Sequence, residues 1–247
     1  MTPRFPAFGS VLLRLFAIQA AWNYERMLGV GFGYAVEPSL RAIIGGGDAP
    51  RYREALARET RFFNAHPYLA GLAVGAAARA EADGAAPERI EKLRQTLCGP
   101  LGSLGDRLIW AGLLPVCSAL ALVLLGLGGG VWVVAVFLGL YNAVHVAVRV
   151  WSLKAGWRDG LGVAAALSGP ALRKAGEVVG PAAGLLLGAA LPLALVWQLE
   201  AAPVAAGAGA GALLVAVIAS RLAGRLSGTE TAGLVLVVVA LGGLLWP

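Results

Sequence analysis

Three short stretches place polar and ionisable side chains where the flanking sequence is apolar: Trp22-Asn23-Tyr24-Glu25-Arg26-Met27, Phe62-Phe63-Asn64-Ala65-His66-Pro67 and Gly99-Pro100-Leu101-Gly102-Ser103-Leu104-Gly105-Asp106. Their chemistry is that of recognition. Asn23, Glu25, Asn64 and Asp106 offer acceptors that suit hydroxyl groups, and Arg26 can clamp a carboxylate. The His66 imidazole has the make-up of a general base or a phosphoryl acceptor. No carboxylate stands at a spacing that would orient it, so no catalytic residue is assigned. The first two stretches also have plain structural accounts. One is the interfacial end of an amphipathic helix, with Trp22 and Tyr24 at headgroup depth. The other is a helix stop in which Asn64 caps and His66, kept out of helical geometry by Pro67, bonds a backbone carbonyl.

The third stretch favours function over a plain loop. Gly99, Pro100, Gly102 and Gly105 predict an interrupted backbone just before a long apolar run, with its peptide groups covered by protein or by a water-filled cavity. A phosphate cradle is excluded, because G-x-x-x-x-G-K-[ST] is absent and the anionic Asp106 follows the last glycine. Further on, Asn142, His145 and Arg149 fall at i, i+3 and i+7 on one helical face, which lipid would penalise. Interhelical hydrogen bonding accounts for Asn142 and His145, and Arg149 is expected to snorkel to the cytoplasmic interface. Cys98 and Cys117 are too few and too far apart for a disulfide framework, and His66 and His145 form no helical pair, so no metal and no cofactor is expected.

The elements that must position these residues are helical and mostly in lipid. The chain has 247 residues, 58% of them hydrophobic and 14% charged, with a mean hydropathy of +0.75. That is too apolar for a water-soluble domain. The formal charge of +6 sits mostly beside apolar runs, which points to lipid headgroups and topology and not to nucleic acid. A bilayer core of about 30 Å needs roughly 20 apolar residues in a helix. Runs of that kind occur at 109–127, 131–150, 178–199, 204–220 and 232–246. Lys154, Arg158, Arg173, Lys174, Arg221 and Arg225 lie in alternate connections, which the positive-inside rule places in the cytoplasm. Small residues such as Gly207 and Gly211 permit close helix packing.

The front of the chain, residues 1–108, reads as shorter helices with polar faces. A helix over 9–27 puts Gln19, Asn23 and Arg26 on one stripe, with Arg14 and Glu25 opposite. Arg14 interrupts the apolar stretch 8–22, which argues against a cleaved signal peptide. A second helix, over 51–63, carries Glu54 and Arg58 at i,i+4 and reads as solvated. A third starts at Pro87 and should stop at Gly99-Pro100. The expected architecture is therefore an all-α integral membrane protein, with amphipathic or re-entrant helices over 1–108 and about five transmembrane helices over 109–247.

In order along the chain, these motifs resemble the IID membrane component of the mannose/fructose/sorbose phosphotransferase systems of bacteria. Trp22 to Met27 matches the family's Phe/Trp-Asn-x-Glu-Arg-Met signature, and Phe62 to Pro67 its Phe-Phe-Asn-x-x-Pro signature. Gly99 to Asp106, continuing to Ile109-Trp110, matches its Gly-Pro-Leu-Ala-Gly-x-Gly-Asp stretch. Asn142, Arg149 and the segment Gly156 to Gly160 stand at the family's later offsets. The chain departs from the pattern at Gly102-Ser103, at Leu114 where an arginine is usual, and in a polar connection shortened to residues 200–203.

The resemblance implies a subunit that pairs with a IIC membrane protein in the inner membrane and passes a hexose inward. Phosphohistidines then reside on cytoplasmic IIA and IIB components, IIB phosphorylates the sugar, and His66 carries no phosphoryl group. It also implies movement of one helical domain against another and re-entrant hairpins in the first half. A IID-like scaffold that moves no sugar is the alternative. A stand-alone ion-coupled transporter fits less well, since the long runs contain almost no carboxylate for a cation relay.

Overall fold

A computed structural model describes residues 3–47 and 49–199 of the chain. Among these residues the protein is helical, with no strand and two isolated bridges, Asn23 with Met27 and Met27 with Phe63. The order is α1 (Phe8–Leu15), α2 (Gly29–Ile44), α3 (Pro50–Glu59), α4 (Ala70–Ala82), α5 (Pro87–Gly105), a π-helical segment (Asp106–Leu113), α6 (Leu114–Gly126), α7 (Trp132–Asp159), α8 (Ala164–Leu167) and α9 (Pro170–Leu199). Two compact units divide the chain, Met1–Leu113 with Leu140–Val179 and Leu114–Gly139 with Gly180–Pro247. The junction between residues 108 and 109 falls inside the π-helical segment.

Among the described residues, three helices are long and apolar enough to cross a membrane, Pro87–Gly126, Trp132–Gly162 and Ala164–Leu191. They coincide with the runs at 109–127 and 131–150 and with the start of the run at 178–199. The runs at 204–220 and 232–246, the basic residues Arg221 and Arg225, and the connection at 200–203 lie outside the described residues. The first of these helices has 40 residues, about 60 Å of length, roughly twice the hydrocarbon thickness.

The interruption expected at residues 99–105 does not occur. Helix α5 runs from Pro87 through Gly99 and Pro100 to Gly105 and continues into the π-helical segment and α6. Pro100 has no N–H to give the carbonyl one turn earlier, at a cost of about 3 kcal/mol. Ile90, Leu97 and Leu101, all at most 1% exposed, bind both sides of the defect to the core, and burial of such a side chain contributes roughly 1.5–3 kcal/mol. Tertiary burial thus overrides the local breaker.

The first helix is also shorter than expected. α1 ends at Leu15 and a series of turns follows, so residues 16–27 are not helical. Asn23 explains the change of course. Its Oδ1 accepts from the Glu25 N–H at 3.1 Å and the Arg26 N–H at 2.9 Å, a side-chain turn that competes with helix. Met27 then closes back on the Asn23 carbonyl with φ of 51°.

The core of the first unit joins Phe32, Phe63, Leu69, Leu72, Ile90, Leu97, Leu101 and Leu153. Helix α4 is alanine-rich and buried on nearly every side. It meets α7 backbone to backbone: a Cβ on Gly75 would strike the Leu153 carbonyl, and one on Gly156 would strike the Leu72 carbonyl. Small residues at helical spacing permit this approach.

Helix α3 is solvated on one face, where Arg51, Arg53 and Glu54 are exposed, but its other charged residues turn inward. Arg58 and Glu59 are buried with Glu81 and Arg94 in one ionic layer. Arg58 bonds Glu81 and also Glu59, the latter at 3.1 Å. Arg94 lies 3.1 Å from Glu59 and donates to the carbonyls of Arg58, Glu59 and Arg61 at 2.6, 3.1 and 3.2 Å. It therefore caps the C-terminal end of α3 as well as neutralising it. Burial pushes the Glu59 carboxyl upward against the pull of Arg94 and Arg58. Nearer the surface, burial of Glu37 is outweighed by hydrogen bonds from Tyr52, Arg41 and Arg14, which hold its carboxyl below the ordinary range.

Candidate functional site

The three motifs come together in the first unit. Backbone pairing joins the first two: the Phe63 N–H donates to the Arg26 carbonyl at 3.2 Å, and the Leu28 N–H donates to the Phe63 carbonyl at 2.8 Å. Asn23 holds the turn through its Oδ1 and is half-buried, whereas the Glu25 and Arg26 side chains are exposed and lie 3.7 Å apart. Asn64 is exposed, and its backbone N–H meets the Cys98 sulfur at 3.5 Å, next to Gly99 on α5. The second and third motifs meet again at His66 and Gly105. His66 is 2% exposed and sits directly on α5 at Gly105, where an added Cβ would collide with the imidazole. That position requires glycine for close approach.

His66 does not bond a backbone carbonyl. Its Nδ1 accepts from the Tyr68 N–H at 3.2 Å, and its Nε2 is buried without a hydrogen-bond partner. Burial pushes the imidazole down to about 4, with the nearby Asp106 pulling the other way and Arg149 and His145 adding to the fall. The ring is neutral at physiological pH, and what keeps it from a phosphoryl donor is its burial, at 2% exposure. Its aromatic neighbours are Tyr68, at 5.0 Å between centroids, and the half-exposed Trp110, at 5.4 Å.

On α5 and the π-helical segment, the third motif turns one face away from the chain. Gly99, Pro100, Ser103, Asp106, Arg107 and Trp110 are exposed, and a Cβ on Gly99 or Gly102 would meet nothing within 4 Å. Lipid would penalise Asp106 and Arg107 at membrane depth. π-Helical turns inside α-helices are frequent at functional sites, and this one carries the acidic and aromatic residues of the motif.

A second cluster lies on α7. His145 and Arg149 belong to it, but their companion is Tyr141, at i−4 from His145, and Asn142 is exposed. The Tyr68 ring stacks on His145 with centroids 3.8 Å apart and planes 9° apart. The Tyr68 and Tyr141 hydroxyls are 2.9 Å apart. Arg149 is 3% exposed and does not snorkel to an interface. Its Nε donates to His145 Nε2 at 2.6 Å, and its Nη1 donates to the Leu15 carbonyl at the end of α1. The guanidinium carbon lies 4.9 Å from the Phe16 ring centre and 5.1 Å from that of Tyr68. Among the described residues no carboxylate pairs with it.

Neither Tyr68 and Tyr141 nor the layer of Arg58, Glu59, Glu81 and Arg94 stands out by residue type or motif. The spacing of Tyr141, His145 and Arg149 at i, i+4 and i+8 is a signal the sequence does carry. The pairing of Arg94 with α3 has no such local signal. No cluster of metal-ligating side chains occurs among the described residues.

Residues 7–202 match the family model of the PTS system mannose/fructose/sorbose family IID component. The sorbose-specific EIID component of Klebsiella pneumoniae is 34% identical over 176 residues, covering 68% of this chain and 62% of that protein. The fructose permease IID component of Bacillus subtilis is 29% identical over 173 residues, and the mannose-specific EIID component of Escherichia coli 30% over 172. Their coverage is 68% of this chain in both cases, and 62% and 60% of the respective relatives, so the match spans somewhat under two thirds of their length. Among solved structures, the mannose transporter ManYZ in complex with microcin E492 superimposes with a TM-score of 0.58 at 27% identity, over 74% of this chain and 68% of that one. A second, described as a membrane protein, gives 0.63 at 26% identity over the same shares. With the three motifs in register and apolar helices of membrane-crossing length, the chain is a membrane protein that belongs to the IID components of the mannose/fructose/sorbose phosphotransferase family.

Proposed function

We propose that this protein is the IID subunit of a sugar permease that works with a IIC membrane partner, passing a hexose across the bacterial inner membrane to a IIB component that phosphorylates it. The observation that carries this reading is the uncovered face of α5 and its π-helical continuation. Gly99 and Gly102 leave open space there beside exposed Asp106, Arg107 and Trp110. A helix surface with no side chain at two positions suits close approach by another helix. The carboxylate and indole beside it suit a partner's polar groups or a sugar's hydroxyls.

In this reading Asn64, His66 and Asp106, with Asn23, Glu25 and Arg26, shape the polar interior or the IIC contact. Gly99 and Gly102 keep that face flat beside Pro100, Gly105 seats His66 on the buried side of the same helix, and Asn142, His145 and Arg149 form the polar side of the α7 span. The chain crosses the membrane several times, with Lys154, Arg158, Arg173 and Lys174 on the cytoplasmic side. IIA and IIB carry the phosphohistidines. Support comes from family membership and from the transporter likeness in fold. The departures at Ser103 and Leu114 keep a non-transporting scaffold as the second reading.

Replacing Gly102 with leucine tests the contact, with copurification of the co-expressed IIC-like subunit as the readout. Asp106→Ala tests the site, by phosphoenolpyruvate-dependent uptake in vesicles holding the full set of components. Loss of copurification in the first and of uptake in the second, at equal membrane abundance, is expected. Normal assembly and uptake in both would overturn the proposal. Assembly without any uptake by the unaltered complex would establish the scaffold instead.

A further inference from the structure

Arg149 is a buried cation on a membrane-crossing helix, and every partner it has among the described residues is neutral: the His145 imidazole, the Leu15 carbonyl, and the Phe16 and Tyr68 rings. An ammonium could not replace this guanidinium, whose planar fork bonds two acceptors while its faces meet aromatic rings. The contacts reach two other segments, the end of α1 and the loop at residues 62–69. Within that loop Tyr68 makes most of the connections. Its N–H donates to His66 Nδ1, its ring stacks on His145, its hydroxyl meets Tyr141, and its carbonyl lies 3.2 Å from the Ser152 hydroxyl. The loop has no regular secondary structure of its own, so its course is set from outside.

We infer that Arg149 and His145 are positioning residues: together they clamp Tyr68 and the end of α1 to α7, and so fix the seat of His66 on Gly105 beside Asp106. This inference rests on the permease reading above for its functional consequence, but the clamp itself is a property of the single chain. His145 acts as the acceptor that orients the Arg149 fork. It must stay neutral to do so, because its Nε2 lone pair receives the Arg149 proton donor.

The loop that Tyr68 anchors also carries Asn64, whose N–H meets the Cys98 sulfur. Cys98 is half-buried and Cys117 buried, the only two cysteines in the chain. Cys98 therefore reports on the loop. In the full complex in native membranes, on a Cys117→Ala background, the rate of N-ethylmaleimide labelling of Cys98 is measured together with sugar uptake. Arg149→Lys and His145→Leu should raise the labelling rate by about 5-fold or more, as expected when a buried hydrogen-bonded contact is lost, and should lower maximal uptake by a similar factor. His145→Gln keeps an acceptor for the Arg149 Nε and should restore both readouts to within about 2-fold of the unaltered protein.

Unchanged Cys98 labelling in Arg149→Lys at equal abundance would overturn the clamp. So would failure of His145→Gln to differ from His145→Leu. The two readings fail separately. If Arg149→Lys frees Cys98 while Asp106→Ala transports normally, the clamp stands and the polar face is wrong. If Asp106→Ala abolishes uptake while Arg149→Lys leaves Cys98 shielded, the face stands and the clamp is wrong.

Discussion

Arg94 and Arg149 are equally hidden, 1% and 3% exposed, and they solve the problem of a buried cation in opposite ways. Around Arg94 the solution is ionic. Glu59 lies beside it, Arg58 links Glu59 to Glu81, and three carbonyls at the end of α3 accept from its guanidinium. Around Arg149 the solution is aromatic and neutral, with no carboxylate among the described residues. The ionic layer serves the first unit's own core. The aromatic cluster instead joins the segment that bears His66 to the helix that bears His145. A charge with fixed counterions makes a structural joint, whereas a charge held by rings and carbonyls leaves no orphaned anion when it is altered. The cost of disturbing the two sites should therefore differ.

The largest effect is expected from Arg94→Leu, which leaves Glu59 with one partner in place of two and strips three acceptors of their donor. Removing one member of a buried ion pair costs about 3–5 kcal/mol, so little folded protein should reach the membrane. Arg149→Leu should leave abundance much nearer normal. Equal loss of both in a quantitative membrane blot would erase the distinction between the two sites.

Next comes the pH dependence contributed by His66. Its folded value is pushed down to about 4, below the ordinary 6.5, so the unfolded chain binds the proton first. The stability this group contributes is complete above about pH 6.5 and is lost as pH falls toward 4, by up to about 1.4 kcal/mol per unit. Melting temperature in detergent, followed from pH 7 to 4.5, should drop less steeply in His66→Gln than in the unaltered protein. Parallel curves would show that His66 does not titrate between the two states.

Gly105→Ala comes third. Overpacking a seat of this kind costs typically about 1–3 kcal/mol, and the cost should shrink when His66 is also replaced by alanine, because the two changes share one contact. Gly102→Ala supplies the contrast. It meets open space, so helix propensity should raise the melting temperature slightly, by up to about 1 kcal/mol in stability. If both glycine variants lose stability alike, the assignment of one to the interior contact and the other to an outward face is wrong.

The smallest effect is expected at Asn23. Asn23→Ala removes the acceptor for two backbone N–H groups, worth about 1 kcal/mol for such a cap. Aspartate should restore most of it. Amide exchange at Glu25 and Arg26 should quicken in the alanine variant and not in the aspartate one.

The motifs were legible before the fold because their residue types are costly in apolar surroundings. Asp106 beside a long hydrophobic run, or His145 and Arg149 within one, stand out by composition alone. The family likewise follows from the order of the three motifs. Backbone course was harder to read. Gly99 and Pro100 carry a strong local signal for a stop, and the helix continues because Leu97 and Leu101 bury on either side. The charges of α3 look solvated, yet Arg58 and Glu59 find Glu81 and Arg94 far along the chain.

By itself, then, the sequence determined the solvent: its longest hydrophobic runs match the bilayer core of about 30 Å, and a helix crosses lipid with its peptide groups satisfied. It also determined which polar residues needed a purpose. What tertiary structure alone decided was who meets whom. His66 lands on Gly105, Tyr68 stacks on His145, and Arg149 reaches the end of α1. Those partners lie dozens of residues apart, and no periodicity within a single helix encodes a contact made across several.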